Sequence, residues 1–164
     1  MNRRYTSADF ASGVQKLRRS LKNPAITTDI MVGFPGESDL DFEESLSFVK
    51  TMEFAKGHVF SYSKRLGTKA AQMENQVLET DKKRRNKKMI TLCAEKEQLF
   101  LKKHIGEKCD VLFETQLPDG SFEGTTTNYI TVRVKSKENL KNKRKEVLIS
   151  EVRAEVAYGE EAGR

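Results

Sequence analysis

Thr27 to Ser38, TTDIMVGFPGES, holds the residues best suited to chemistry. Ile26 to Val32 is mostly β-branched or apolar and leaves no room for a helix before the glycines, so it reads as a short buried strand. Asp29 interrupts that run, and a carboxylate inside a buried strand is costly unless it is paired or faces a ligand. Gly33 and Gly36 bracket Phe34-Pro35, which predicts a sharp turn whose backbone can approach a ligand closely. Ser38 stands at an N-cap position ahead of Phe42, Leu46 and Val49 at helical spacing. Strand, glycine turn and capped helix is the unit that holds small ligands at the carboxyl ends of parallel strands. It is equally the form of an ordinary strand-to-helix turn. No Gly-Lys-Ser/Thr follows the glycines and no GxGxxG is present, which excludes the two common nucleotide fingerprints.

Basic runs are the second chemical feature. The chain of 164 residues carries a net charge of +6. The excess is concentrated in KKRRNKK (Lys82 to Lys88), and a second dense run spans Lys135 to Lys145. Such runs suit a polyanion, nucleic acid first, or else form solvated faces. Cys93 and Cys109 are the only cysteines. One falls on a helical face and the other opens a strand pattern, so neither a disulfide framework nor a metal motif is expected. No apolar run approaches the roughly 20 residues that span a bilayer. MNRRYTSADF lacks the apolar core of a signal peptide. The expected setting is the cytoplasm, with no membrane.

The elements that must position these residues follow in chain order. Thr6 and Asp9 resemble a capping box before Phe10, Val14, Leu17 and Leu21, and Pro24 ends that helix. After the first strand comes a helix from Asp39 to about Glu53, acidic in its first turn, as the helix dipole favours. Gly57 to Ser63 reads as another strand. This order implies parallel strands with right-handed crossovers, and two strands do not make a stable sheet alone. Lys64 to Val77 reads as an irregular loop. A long helix from about Thr80 to His104 carries Met89, Leu92, Cys93 and Phe100 on one stripe, with Gly106 as its stop. From Lys108 the pattern alternates: Val111 and Phe113, Phe122 to Thr126, Tyr129 to Val134 and Val147 to Val156 read as strands, with a turn at Pro118-Asp119-Gly120. Phe122 and Tyr129 are either core or stacking residues. Glu160 to Arg164 reads as a frayed tail.

Taken together, MNRRYT, TTDIMVGFPGE, HVFSYSKRLGT, the following QV and basic helix, and EGTTTNY resemble in order and spacing the carboxyl-terminal half of radical-SAM methylthiotransferases. The resemblance implies α/β plus all-β architecture: part of a radical-SAM (TIM-like) barrel over 1–79, a basic connecting helix over 80–104, an OB-like TRAM β-barrel that binds RNA over 105–158, and a tail over 159–164. HVFSYSKR is most similar to the branch acting on N6-threonylcarbamoyladenosine beside the anticodon of tRNA. The isopentenyladenosine and ribosomal-protein branches are the near alternatives, and a stand-alone RNA-binding protein is the alternative from another class.

The family's cofactors are S-adenosylmethionine (SAM) and two [4Fe–4S] clusters, one held by C-x-x-x-C-x-x-C to make a 5′-deoxyadenosyl radical. Neither cysteine set occurs here. The resemblance therefore implies missing amino-terminal domains, an internal position for Met1, no catalytic or metal-binding residue in this chain, and no activity from the chain alone. Arg3 matches the arginine that meets the SAM carboxylate, a good partner for a guanidinium fork. Asp29 matches the acidic residue facing the ribose. Gly33, Phe34, Pro35 and Gly36 would wall the adenine, Tyr62 would face SAM, and Lys64 and Arg65 would face substrate. RNA contacts are expected from Lys82, Lys83, Arg84, Arg85, Lys87 and Lys88, and from Thr125, Asn128, Tyr129, Lys141, Lys143, Arg144 and Lys145, since OB-type folds combine a basic groove with aromatic stacking. Leu66 and Lys69 depart from the family, where proline is usual, which predicts a looser loop from Lys64 to Ala71.

Overall fold

Local sequence signals set the helix starts of the first unit. In the computed structural model, which describes residues 3–162, Thr6 and Asp9 form a reciprocal capping box that opens α1 (Ser7–Ser20). Ser38 and Asp41 do the same for α2 (Asp39–Met52). Each box satisfies backbone donors that the first turn would leave unpaired. Arg18 reaches across from α1 to donate to the Met52 and Glu53 carbonyls at the end of α2. Met1 and Asn2, within the MNRRYT motif, lie outside the described residues.

Between the helices, β1 (Thr27–Val32) pairs in parallel with β2 (Lys56–Ser61), Asp29 opposite His58 and Met31 opposite Phe60. A short helix α3 (Lys69–Gln72) and the long α4 (Glu79–Lys102) follow. Val32, Phe42, Val49, Met89 and Cys93 are buried together in one core. Fully burying a side chain such as Phe42 contributes about 2–3 kcal/mol.

Two expectations change here. β1 is not buried on both sides: Asp29 and Met31 are exposed, and so are His58 and Phe60 beside them. A two-stranded sheet covered on one face only leaves alternate residues in solvent, so Asp29 carries no burial penalty in this chain. The loop from Lys64 to Val77 is also more regular than read. Thr68 caps α3, its hydroxyl accepting from Ala71 N at 3.2 Å and donating to Arg65 O at 2.8 Å. Lys69 takes the first helical position, where proline is favoured, and the cap replaces the stiffness that proline would supply.

Alternation builds the second unit, five strands closed into a barrel in the order β3-β4-β5-β7-β6. They are β3 (Lys108–Gln116), β4 (Phe122–Thr126), β5 (Thr131–Val134), β6 (Arg144–Arg153) and β7 (Val156–Glu161). All pairs are antiparallel except β5 with β7. Inward residues Val111, Phe113, Phe122, Val132, Val147 and Ile149 fill the interior with Leu140 and Leu101. Closure requires Gly124, where an added Cβ would meet Leu112 O at 2.3 Å and Phe113 Cα at 2.8 Å. The Asp119 carboxylate accepts from Ser121 N and Oγ at 3.0 and 2.6 Å, fixing the Pro118–Gly120 turn.

Three boundaries differ from the sequence reading. The Val147 to Val156 segment is a hairpin, β6 turning into β7 at Ala154, which adopts φ +49°. Glu160 and Glu161, read as tail, are paired in β7 opposite Leu148 and Val147. Contacts divide the chain between Lys96 and Glu97, inside the helix expected over 80–104, because Leu101 already belongs to the barrel core and Phe100 packs on it.

Candidate functional site

The turns that follow β1 and β2 lie side by side. Tyr62 N donates to Val32 O at 2.8 Å, extending the parallel ladder past both strands. Phe34 and Tyr62 then meet edge to face, ring centroids 5.4 Å apart. Lys64 and Arg65 are exposed just beyond.

The first half of α4 closes over this end. Arg85, 4% exposed, donates through Nη1 to Glu37 Oε2 at 2.6 Å and Glu37 O at 2.9 Å. Its Nη2 donates to Asp39 Oδ1 at 3.0 Å. Glu37 Oε2 also accepts from Gly33 N at 2.7 Å. Burial opposes the Arg85 charge, and the hydrogen bonds to Glu37 and Asp39 outweigh it, so its pKa is raised. Arg84 donates to the same Asp39 oxygen at 2.9 Å, and Arg84 and then Arg85 hold that carboxyl below its ordinary range. Lys82 is also buried, its ammonium 2.7 Å from Glu79 and 5.3 Å from the Tyr62 ring centre. The buried Tyr62 hydroxyl has no hydrogen-bond partner among the described residues.

This arrangement corrects part of the RNA-contact expectation. Lys82 and Arg85 are structural: they are buried and paired, so phosphate cannot reach them. Lys83, Arg84, Lys87 and Lys88 are exposed. Arg84 is shared between Asp39 and Asp81, and Lys88 faces Glu43 at 3.4 Å. Arg84, Lys87 and Lys88 line a groove between α2 and α4 of about 580 Å³, with Lys50, Leu46 and Leu92. The need for glycine at position 33 has a second source besides the expected turn. Gly33 has φ +73°, and a Cβ there would meet Lys82 Cγ at 2.4 Å. The close neighbour is the lysine stem. Gly33, Pro35 and Tyr62 are buried, Phe34 is half-buried and Gly36 is exposed.

Arg3 and Asp29 come together elsewhere on the unit. Both line a groove of about 600 Å³ along β1, with Tyr5, Met31, Asp41 and Phe48. Its size is within the range of small-ligand sites. A guanidinium and a carboxylate in one such groove fit a ligand that carries both a carboxylate and hydroxyls. By contrast, the described residues contain no group of three or more His, Cys, Asp or Glu side chains that could hold a metal ion. Cys93 is buried in the first unit and Cys109 is half-buried in the second, so the chain does not fit an iron–sulfur cluster.

In the barrel, Phe122 is core and Tyr129 is 87% exposed. Thr125 is half-buried and donates to Glu114 at 3.3 Å. Asn128 is held between Thr126 and His104. Lys141, Lys143 and Arg144 are exposed, Arg144 pairing with Asp110 at 2.8 Å. Lys145 is half-buried against Glu161 at 3.3 Å. Glu37 and His104 were invisible to motif reading. Arg85 could have been reassigned from periodicity, because Lys82, Arg85, Met89 and Cys93 fall on one helical stripe.

No protein-family model matches the chain. Curated proteins do match along it. A tRNA-2-methylthio-N(6)-dimethylallyladenosine synthase of Caldicellulosiruptor saccharolyticus is 40% identical over 98% of this chain and 34% of that protein. The threonylcarbamoyladenosine tRNA methylthiotransferase of Bacillus subtilis is 37% identical over 85% of this chain and 32% of that protein. A dimethylallyladenosine-type synthase of Campylobacter jejuni is 38% identical over 98% of this chain and 37% of its own length. The chain spans about a third of the length of these relatives.

Proposed function

We propose that this chain, a homologue of tRNA methylthiotransferases along almost its whole length, is the carboxyl-terminal segment of such an enzyme. The observation that carries the reading is identity running through both units, which one shared module would not produce. In this reading the first unit is a piece of a radical-SAM barrel and the second is the TRAM domain. The five-stranded closure with one parallel pair suits an OB-like, RNA-binding barrel. The parent acts in the cytoplasm on tRNA next to the anticodon.

Arg3 and Asp29 are the residues of this chain that would hold SAM, the first by its carboxylate and the second by its ribose hydroxyls. SAM, when bound, supplies the radical chemistry of the family. The chain's own part is to bind and orient. Glu37 and Arg85 hold the Gly33–Gly36 turn in place, and Lys64 and Arg65 offer cations beyond the strand ends. The two clusters have no ligand set here, so the chain alone should cleave no SAM.

The substrate favoured by HVFSYSKR is N6-threonylcarbamoyladenosine, whose carboxylate needs a cation such as Arg65. Arg65 is exposed in this chain; covered by the rest of the parent and left unpaired, it would reject the apolar isopentenyl nucleoside. The 40% identical dimethylallyladenosine-type relative favours the second reading. Nucleoside mass spectrometry of tRNA from a strain lacking the parent gene separates them. Loss of 2-methylthio-threonylcarbamoyladenosine is expected; loss of the isopentenyl derivative instead selects the second reading. An unchanged tRNA profile overturns both and leaves a ribosomal-protein enzyme or a stand-alone RNA-binding protein.

A further inference from the structure

Tyr129 adopts φ +62° and leaves its ring 87% exposed. A tyrosine in the left-handed region is strained, because its Cβ crowds the backbone. Glycine would remove that strain, and the ring gains no burial in return. Bulky residues held this way by over-determining surroundings cluster at functional sites.

The surroundings here are specific. Tyr129 N donates to Thr126 O at 3.0 Å, closing the β4–β5 turn. Thr126 Oγ1 accepts from Ile130 N at 2.9 Å and donates to Asn128 Oδ1 at 2.7 Å. Asn128 Nδ2 lies 3.2 Å from His104 Nε2, and His104 is only 4% exposed. The other ring nitrogen, Nδ1, lies 3.0 Å from the Phe100 carbonyl. A carbonyl can only accept, so Nδ1 carries the proton and Nε2 accepts from Asn128. Reversing the Asn128 amide would put its oxygen against an acceptor. His104 thus fixes Asn128, Asn128 fixes Thr126, and Thr126 fixes the turn that displays Tyr129. Lys102 and Lys103, both exposed, immediately precede His104 in the chain.

We propose that Tyr129 is a preformed stacking platform for one unpaired base of the RNA, and that His104 is its positioning residue. Asn128, expected to contact RNA, serves to hold the turn. An exposed ring on a turn anchored by hydrogen bonds, in a unit that also exposes Lys141 and Lys143, suits single-stranded RNA, since every base has a face to stack and the backbone is anionic. The inference rests on the RNA-binding reading of the barrel.

The test uses the full chain, an anticodon stem–loop RNA and a duplex RNA without a loop, with affinity measured against salt. Tyr129→Ala should weaken stem–loop binding about tenfold and leave duplex binding and the salt slope unchanged, because phosphate contacts are untouched. Tyr129→Phe should bind like the wild type. Tyr129→Gly should raise Tm by a few degrees while losing the same affinity, which separates display from stability. His104→Ala should match Tyr129→Ala in binding, and the double variant should lose no more than either alone. If His104→Ala does not fold, Asn128→Ala takes its place in the cycle. Unchanged stem–loop affinity in Tyr129→Ala overturns the inference alone, and additive losses in the double variant overturn the role of His104. A wild-type chain that binds neither RNA overturns both the inference and the RNA-binding reading.

Discussion

The two units bury a sheet in opposite ways. The first sets helices against one face of two parallel strands and leaves Asp29, Met31, His58 and Phe60 bare on the other. The second closes five strands on themselves, so every strand is paired on both sides. Closure removes edges and completes a core; a two-stranded sheet can do neither. Arg3 and Asp29 therefore lie exposed along a strand that the first unit leaves uncovered, whereas Tyr129 is displayed by a barrel whose core is closed.

Hydrogen exchange should show the largest contrast. Amides of Val111, Val132 and Val147 should exchange about a hundredfold more slowly than those of Ile30 and Val59, roughly 3 kcal/mol of extra protection. Equal protection would break the contrast and make the first unit a complete domain. Gly124→Ala should come next, at about 2–3 kcal/mol by urea melting, because the new methyl would collide with backbone that cannot step aside. Gly33→Ala should cost less, about 1–2 kcal/mol, for its positive φ and for the shift it forces on the buried Lys82 side chain, which has more freedom to give than backbone. Equal costs at the two glycines would mean that the α/β turn is as rigid as the barrel.

Arg85→Met sharpens the contrast from inside the first unit. It strands Glu37, whose side chain is 13% exposed. A cost of about 2 kcal/mol is expected, below the usual figure for a buried pair because Asp39 is exposed. Exchange in β1 and α2 should quicken while the barrel amides stay unchanged, and faster exchange in the barrel would contradict the division into two units.

The smallest effect should be common to both. In the first unit the Thr6 backbone and hydroxyl hold Asp9 below its ordinary pKa, and the Ser38 hydroxyl and backbone do the same for Asp41. In the barrel, Ser121 lowers Asp119 and Arg153 lowers Glu151. A depressed folded pKa contributes stability that is complete above the unfolded value of about 4 and is lost as pH falls through the folded value. Circular dichroism should therefore show helix and strand signals weakening together below about pH 4. Loss of helix alone near pH 6 would point to a different titrating group.

Legibility followed the range of the interaction. The Thr6–Asp9 capping box and the Ser38 N-cap were readable because each depends on residues within one turn. The Pro118–Gly120 turn was readable for the same reason. The β6–β7 hairpin was not, because it turns at Ala154 with no glycine, proline or asparagine to mark it. The run from Lys82 to Lys88 was legible as charge and illegible as function. A helix turns every third or fourth member inward, which periodicity could have shown for Arg85, but only Glu37 and Asp39 decide that it serves as a clamp while Lys87 stays in solvent.

By itself, then, the sequence determined the strand–turn–helix order, the starts of α1 and α2, the alternating second half and the resemblance to methylthiotransferases. These depend on spacing along the chain, which folding does not alter. Tertiary structure alone decided which face of β1 carries Asp29 into solvent, that Gly33 makes room for a lysine, and that His104 meets Asn128. Each of these joins residues far apart in sequence, through a steric gap or a hydrogen bond only a few ångströms long. No local pattern encodes such distances until the elements have packed.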